Sequence, residues 1–149
     1  MKLRLLIVSL MAVAAPAIGH AQSDSTTRAR EVSAVRAVVE RYLHGLKFND
    51  TVSLHQSFWP EARLFAIRPN GQINELTQAK WYAMFEKSAG KEEKGDLRIA
   101  SVDITGNAAA VKVVEDYPDS RYTDYLNLLR INDRWWIVNK IYTMERITR

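Results

Sequence analysis

The chain has 149 residues, 47% hydrophobic and 26% charged, with 21 Lys and Arg against 17 Asp and Glu for a net charge of +4. These proportions fit one globular domain and exclude a disordered tail or a multi-pass membrane protein. The absence of cysteine excludes disulfides, thiolate nucleophiles and Cys-ligated zinc, and three histidines leave little for another metal site.

Two basic residues lie within Met1–Arg4, Leu5–Ala15 is apolar apart from Ser9, and Gly19-His20-Ala21 places small residues where a signal peptidase reads. Residues 1–21 therefore read as a cleavable signal peptide cut after Ala21, with Ala17 as a second site. The apolar run is shorter than the ~20 residues of a membrane span. A periplasmic or secreted protein with no stable membrane anchor is expected. Cleavage removes Lys2 and Arg4, so about half of the net charge belongs to the signal.

Residues 22–30 are polar and aperiodic, a flexible lead-in to one domain over 31–149. Val32, Val35, Val39, Tyr42 and Leu46 form a helix stripe between Glu31 and Phe48. Asn49-Asp50 supplies a stop and an N-cap, after which Val52, His55 and Trp59 share one face of a short second helix ended by Pro60, with Leu54 and Phe58 adjacent. Arg63–Ile67 and Gln72–Leu76 flank Pro69-Asn70-Gly71 as a hairpin. Thr77 caps a third helix with Trp81, Met84, Phe85 and Ser88 as its buried stripe, and Gly90–Gly95 is a solvated charged loop. From Asp96 the period becomes two. Leu97–Thr105 and Ala108–Asp116 flank Gly106-Asn107, and Tyr122–Ile131 and Arg134–Tyr142 flank Asn132-Asp133, both tight hairpin signals. The result is an α+β fold in which helices cover one face of a curved antiparallel sheet, with no pattern indicating a parallel pair.

The order of elements and several motifs resemble the nuclear transport factor 2-like superfamily, which includes SnoaL-like polyketide-cyclase-like proteins, and within it the family called "Putative lumazine-binding". The resemblance rests on Val35-x-x-x-Val39-x-x-Tyr42, His55-x-x-Phe58-Trp59-Pro60 and Ile104-Thr105-Gly106-Asn107-Ala108. It rests most on Tyr122-x-Asp124-Tyr125-Leu126-x-Leu128-Leu129 with Trp135-x-Ile137-Val138-Asn139-Lys140. It implies a cone-shaped cystatin-like sheet closed by three helices, an internal pocket and a homodimer. It does not imply a single reaction, because members include isomerases, dehydratases, cyclases and binding proteins.

His55 shares its helix face with Val52 and Trp59, so it is a candidate base or ligand donor, set against a structural role. His44 lies off the stripe and is expected in solvent. Neither has an i, i+4 partner for a helical metal site, and no metal or cofactor is expected. In the last strand, alternation separates Trp135, Ile137, Asn139 and Ile141 from Trp136, Val138, Lys140 and Tyr142. The resemblance directs the first set into the cone and the second to the outer, dimer-forming face. In the preceding strand, Tyr125, Asn127, Leu129 and Ile131 are favoured as inward over Asp124, Leu126, Leu128 and Arg130. The resulting ligand-binding candidates are Tyr42, His55, Trp59, Trp81, Tyr125, Asn127 and Asn139. Asp124 and Asp116 are the available acids, each also readable as a rim residue in a salt bridge. Three functions remain open. One is an exported protein binding an unknown small molecule; another is a cofactor-independent isomerase or dehydratase using His55. The third is an interaction module with its cone plugged by Trp59, Trp81 and Trp135. Nucleic acid is not expected as a partner, because acids intersperse the bases.

Overall fold

The computed structural model describes residues 18–147. Helix α1 runs Ile18–Lys47 and buries Val35, Val38, Val39, Tyr42 and Leu46, the stripe that three- and four-residue spacing produces. It also extends through segment 22–30, which the composition predicts as irregular; Ser25–Arg30 is exposed there. Polar residues without a stripe can be added to a helix whose nucleus is already formed by packed turns further along. Residues 1–17 of the expected signal peptide lie outside the described residues.

Asn49 takes a left-handed conformation, φ 51°, and ends α1. Asp50 caps helix α2, Thr51–Ser57, its carboxylate accepting from the amides of Val52 at 2.9 Å and Ser53 at 3.3 Å. A Cβ on Gly45 would stand 2.5 Å from Leu54 Cδ2, so the glycine permits α1 and α2 to cross closely. The buried face of α2 carries Leu54 and Ser57 and leads into Phe58. Val52 and His55 are exposed, which corrects the face expected from Val52, His55 and Trp59. The helix stops at Ser57, so Trp59 and Pro60 belong to strand β1, Phe58–Ile67, and helical spacing no longer applies to them.

Strand β2, Ile73–Thr77, closes the hairpin through Gly71 at φ 80°. Thr77 caps helix α3, Gln78–Tyr82, accepting from Lys80 N at 3.4 Å. That helix is shorter than its stripe predicts. Met84 is exposed, Phe85 packs edge-on against Trp81 at 5.4 Å between ring centroids, and a 3₁₀ turn over Glu86–Ser88 follows.

Strands β3, Asp96–Thr105, β4, Ala108–Asp116, β5, Ser120–Ile131, and β6, Arg134–Arg146, form the antiparallel meander. Asn132 and Asp133 both have positive φ, as a two-residue hairpin turn of the type that matches strand twist requires. The sheet order is β2-β1-β6-β5-β4-β3. β1 pairs with β6 in parallel, a pairing the sequence pattern did not indicate. Alternation reports which face a side chain takes but not the direction of a neighbour distant in sequence.

On β5, Asp124, Leu126 and Leu128 are buried while Tyr125, Asn127 and Leu129 are exposed. The expected inward set is therefore the outward one. On β6, Trp135 and Ile137 are buried as expected, but the pairing with β5 slips between Asn127 and Leu128, leaving Val138 as an extra residue. Past this bulge the faces exchange. Lys140 and Tyr142 turn toward the helices, and Ile141 is exposed. Asn139 shares the outer face, where its Oδ1 accepts from Asn127 Nδ2 at 3.0 Å.

Candidate functional site

Three neighbouring strands bring ionisable side chains to the concave face. On β4, Ala109, Val111, Val113 and Glu115 are the buried alternates. Val113 is paired with Asp124 on β5, and Leu126 with Lys140 on β6, so Glu115, Asp124 and Lys140 occupy staggered inward positions. Tyr42 descends on them from α1. Its hydroxyl donates a short hydrogen bond to Asp124 Oδ2 and lies 3.2 Å from Glu115 Oε1. Lys140 Nζ donates to Tyr42 Oη and to Asp124 Oδ2, each at 2.7 Å. The ammonium also faces the rings of Tyr42, Trp81 and Tyr142 at 5.3, 5.4 and 4.9 Å, a favourable place for a desolvated cation.

Burial pushes the Glu115 carboxyl up to about 8; Lys140 opposes this rise and Asp124 adds to it. Burial works against the Lys140 charge, but Asp124 and then Glu115 outweigh it and hold the ammonium above the usual lysine range. Burial, followed by the same two acids, places the Tyr42 phenol well above its ordinary value. At neutral pH the cluster therefore contains a charged Lys140, a neutral Tyr42 and a largely neutral Glu115.

Glu115 gives a testable pH dependence. An unfolded glutamate titrates at ~4.3, so between there and about 8 the folded chain holds a proton that the unfolded chain has lost. Glu115 thus contributes stability below about 4, and this contribution declines as pH rises through about 8. Urea midpoints measured across that window should fall less steeply in Glu115→Gln than in the parent chain; superimposable slopes would contradict the assignment.

Glu115 and Lys140 line an open cavity of about 1260 Å³. Trp81, Phe85, Tyr122 and Tyr142 supply aromatic walls, and Arg68, Glu92, Lys94 and Asp119 stand among the residues at its polar margin. The charged loop is fastened there. Lys47 Nζ donates to the carbonyls of Glu93 and Gly95 at 2.7 and 3.0 Å, and Asn49 Nδ2 donates to the carbonyl of Lys91 at 2.8 Å. It is thus part of the cavity's frame as well as a solvated segment.

Of the sequence-derived candidates, Trp81 lines the cavity, while Tyr42 and Asp124 lie fully buried beneath it. His55 is exposed, packed at a tilt against Tyr82 at 4.0 Å between ring centroids, and absent from the cavity wall. Trp59 packs against Trp136 at 6.0 Å. Tyr125, Asn127 and Asn139 belong to the outer face, for the register reasons above. Trp135 is buried and donates from Nε1 to Glu31 Oε2 at 2.8 Å, so of the three proposed plugs only Trp81 reaches the cavity. Asp116 is a rim residue paired with Arg98 at 2.6 Å and with Arg121. Asp124, grouped with it as a rim acid, is instead buried against Lys140. Among the described residues no group of three or more His, Asp or Glu is placed to hold a metal.

Glu115 and Lys140 were missed as site residues. The signal for Glu115 was present, since it continues the buried alternation of Ala109, Val111 and Val113. The resemblance places Lys140 on the outer face, and the bulge at Val138, which leaves no mark in a period-two pattern, reverses that placement.

Residues 30–143 match the profile of the family described as "Putative lumazine-binding". The chain belongs to that family. Solved structures place this lumazine-binding family member in the nuclear transport factor 2-like fold. An NTF2-like protein of unknown function from Silicibacter pomeroyi is 26% identical, with a TM-score of 0.70, covering 79% of this chain and 98% of its own. One from Shewanella baltica is 24% identical, with a TM-score of 0.72 and coverage of 78% and 95%. Among curated proteins, aldolase FrzH from a Cladobotryum species is 22% identical over 113 residues, 75% of this chain and 90% of its own.

Proposed function

We propose that this chain is an exported protein that binds a small molecule in the open cavity, above the Lys140–Glu115 floor. The observation that carries the reading is the placement of two buried ionisable side chains at the base of an aromatic-walled cavity. A mostly apolar enclosure with a few convergent polar groups is the usual composition of a ligand site. Export rests on the charged start, short apolar run and Ala-ending small-residue motif of residues 1–21.

Lumazine, from which the family takes its name, is the first probe. A fluorescence titration is expected to show saturable binding. Phe85→Ala should weaken it by roughly threefold to tenfold through loss of one aromatic contact worth about 0.5–1.5 kcal/mol. Tyr125→Asp, on the opposite face, should leave binding unchanged. An unaltered titration in the Phe85 variant would place the ligand elsewhere.

A catalytic reading passes from His55 to Glu115. A carboxyl pushed up to about 8 beside a cavity has the reactivity of a general acid or base, and one curated relative is named an aldolase.

The homodimer belongs to the same proposal, with a different set of contacts from the one first expected. Lys140 and Tyr142 turn inward, and the outer face instead exposes Ile67, Ile73, Tyr125 and Ile141 around an apolar hollow of about 500 Å³. A second copy would cover a contiguous apolar surface that a monomer leaves in water. Sedimentation equilibrium is expected to give twice the chain mass for the parent and a monomer for Tyr125→Asp; a monomeric parent would refute the dimer.

A further inference from the structure

The sheet divides along the seam between β1 and β6. The two strands pair as far as Phe65 and Ile141; beyond them Ala66 and Ile67 stay with β2, while Tyr142 and Thr143 stay with β5. The hollow of about 500 Å³ lies across this division, with Phe65, Ala66 and Ile67 on one side of its wall and Ile141, Tyr142 and Thr143 on the other. It is therefore a depression where two hairpins part. Ala66, Ile67, Tyr142 and Thr143 also edge the first cavity, whose Lys140–Glu115 floor belongs to the concave face.

A dimer through the outer face meets a packing problem here. Two copies of a closed pair present the same patch to each other, so where the two-fold axis passes the hollow a depression faces a depression and the pair encloses a chamber. Lining atoms that face a void lose their contacts, and the loss grows with the volume left empty. The lining side chains are uncharged, and their polar groups are the hydroxyls of Tyr125, Tyr142 and Thr143. Lys112, on the adjacent strand β4, is engaged over the Tyr125 ring at 5.6 Å. A charged group brought into the chamber would lose its hydration with no opposite charge in the wall to meet it.

We propose that the facing hollows form an apolar chamber between two copies of the chain, and that this chamber takes an uncharged, hydrocarbon-rich small molecule. Ligand sites usually enclose ~300–1,000 Å³ behind an apolar lining with a few polar groups, and each hollow meets that description. Guest and dimer support each other, because a molecule that binds only the closed pair draws chains into it. The inference rests on the dimer reading, and it is separate from whatever occupies the first cavity.

Fluorescence titration of the full chain with 1-anilinonaphthalene and with its 8-sulfonate tests the chamber, because the two probes share a skeleton and differ by one negative charge. The uncharged probe is expected to bind saturably and at least tenfold more tightly than the sulfonate. At saturation it should lower the dimer dissociation constant at least tenfold in sedimentation equilibrium. Ile73 is 68% exposed and lines the hollow, so Ile73→Trp leaves the core intact and fills the space; the variant should remain a dimer and bind the probe at least tenfold more weakly. Unchanged probe affinity in Ile73→Trp, a dimer no tighter with the probe than without it, or a sulfonate that binds as tightly as the uncharged probe would each overturn the chamber and leave the dimer reading standing. Chains that stay monomeric with and without the probe would overturn both.

Discussion

Lys140→Met is expected to destabilise the fold by about 3–5 kcal/mol, the range for removing one partner of a buried ion pair. Asp124 is 0% exposed, and its Oδ2 depends on the ammonium at 2.7 Å. Its Oδ1 has no hydrogen-bond partner among the described residues, so the loss cannot be shared by the other oxygen. Glu115 carries no positive charge in either protonation state, so it cannot replace the ammonium opposite Asp124. The loss should appear as a lower urea midpoint with an unchanged slope. In the double variant Lys140→Met/Asp124→Leu most of it should return, since replacing a buried pair by apolar groups is often neutral or stabilising. A single variant within 1 kcal/mol of the parent would show that the pair is not a buried charge pair in solution; additive losses in the double variant would show that the two residues are not coupled.

Phe58→Ala should cost a comparable amount, about 3–5 kcal/mol, as a fully buried aromatic replaced by a methyl. Phe58 is 1% exposed and opens β1 opposite Ile137. Its ring meets those of Tyr42 at 5.7 Å and Trp81 at 5.5 Å, so the void left behind lies beside the tyrosine under the floor and a tryptophan of the cavity wall. Lumazine affinity should therefore fall together with stability. Val52→Ala is the control for the face of α2. Val52 is 62% exposed, and surface substitutions of this kind fall within about 0.5 kcal/mol. If Val52→Ala proved the more costly of the two in thermal or urea unfolding, the inward face of the second helix would be misassigned.

The elements were legible where local chemistry determines them. The stripe of Val35, Val39, Tyr42 and Leu46, the Asn49-Asp50 stop and cap, the Thr77 cap and the Asn132-Asp133 turn each follow from neighbours within a few positions, and each stands as the pattern predicts. The family was legible for the same reason, because its motifs sit on those elements. The site was less so. A common helical face for His55 and Trp59 requires α2 to run to Pro60, whereas the chain enters the sheet at Phe58. Alternation fixes the two faces of a strand without saying which one meets the helices, so the inward place of Asn139 comes from the resemblance alone and that of Tyr125 and Asn127 from a choice between two faces. The bulge between Asn127 and Leu128 then exchanged the roles of Asn139 and Lys140. A lysine in a strand ordinarily marks the solvent face. Lys140 is buried because Asp124 and Tyr42, 16 and 98 positions away, supply its partners, and a contact over that distance has no local signature.

The most direct measurement of the central claim is side-chain NMR of the full chain titrated with lumazine. Binding over the Lys140–Glu115 floor predicts saturable shifts of the Trp81 indole N–H and the Lys140 ammonium, with Tyr125 and Ile141 unmoved. Shifts confined to Tyr125 and Ile141, or spectra unchanged at saturating probe, would contradict it.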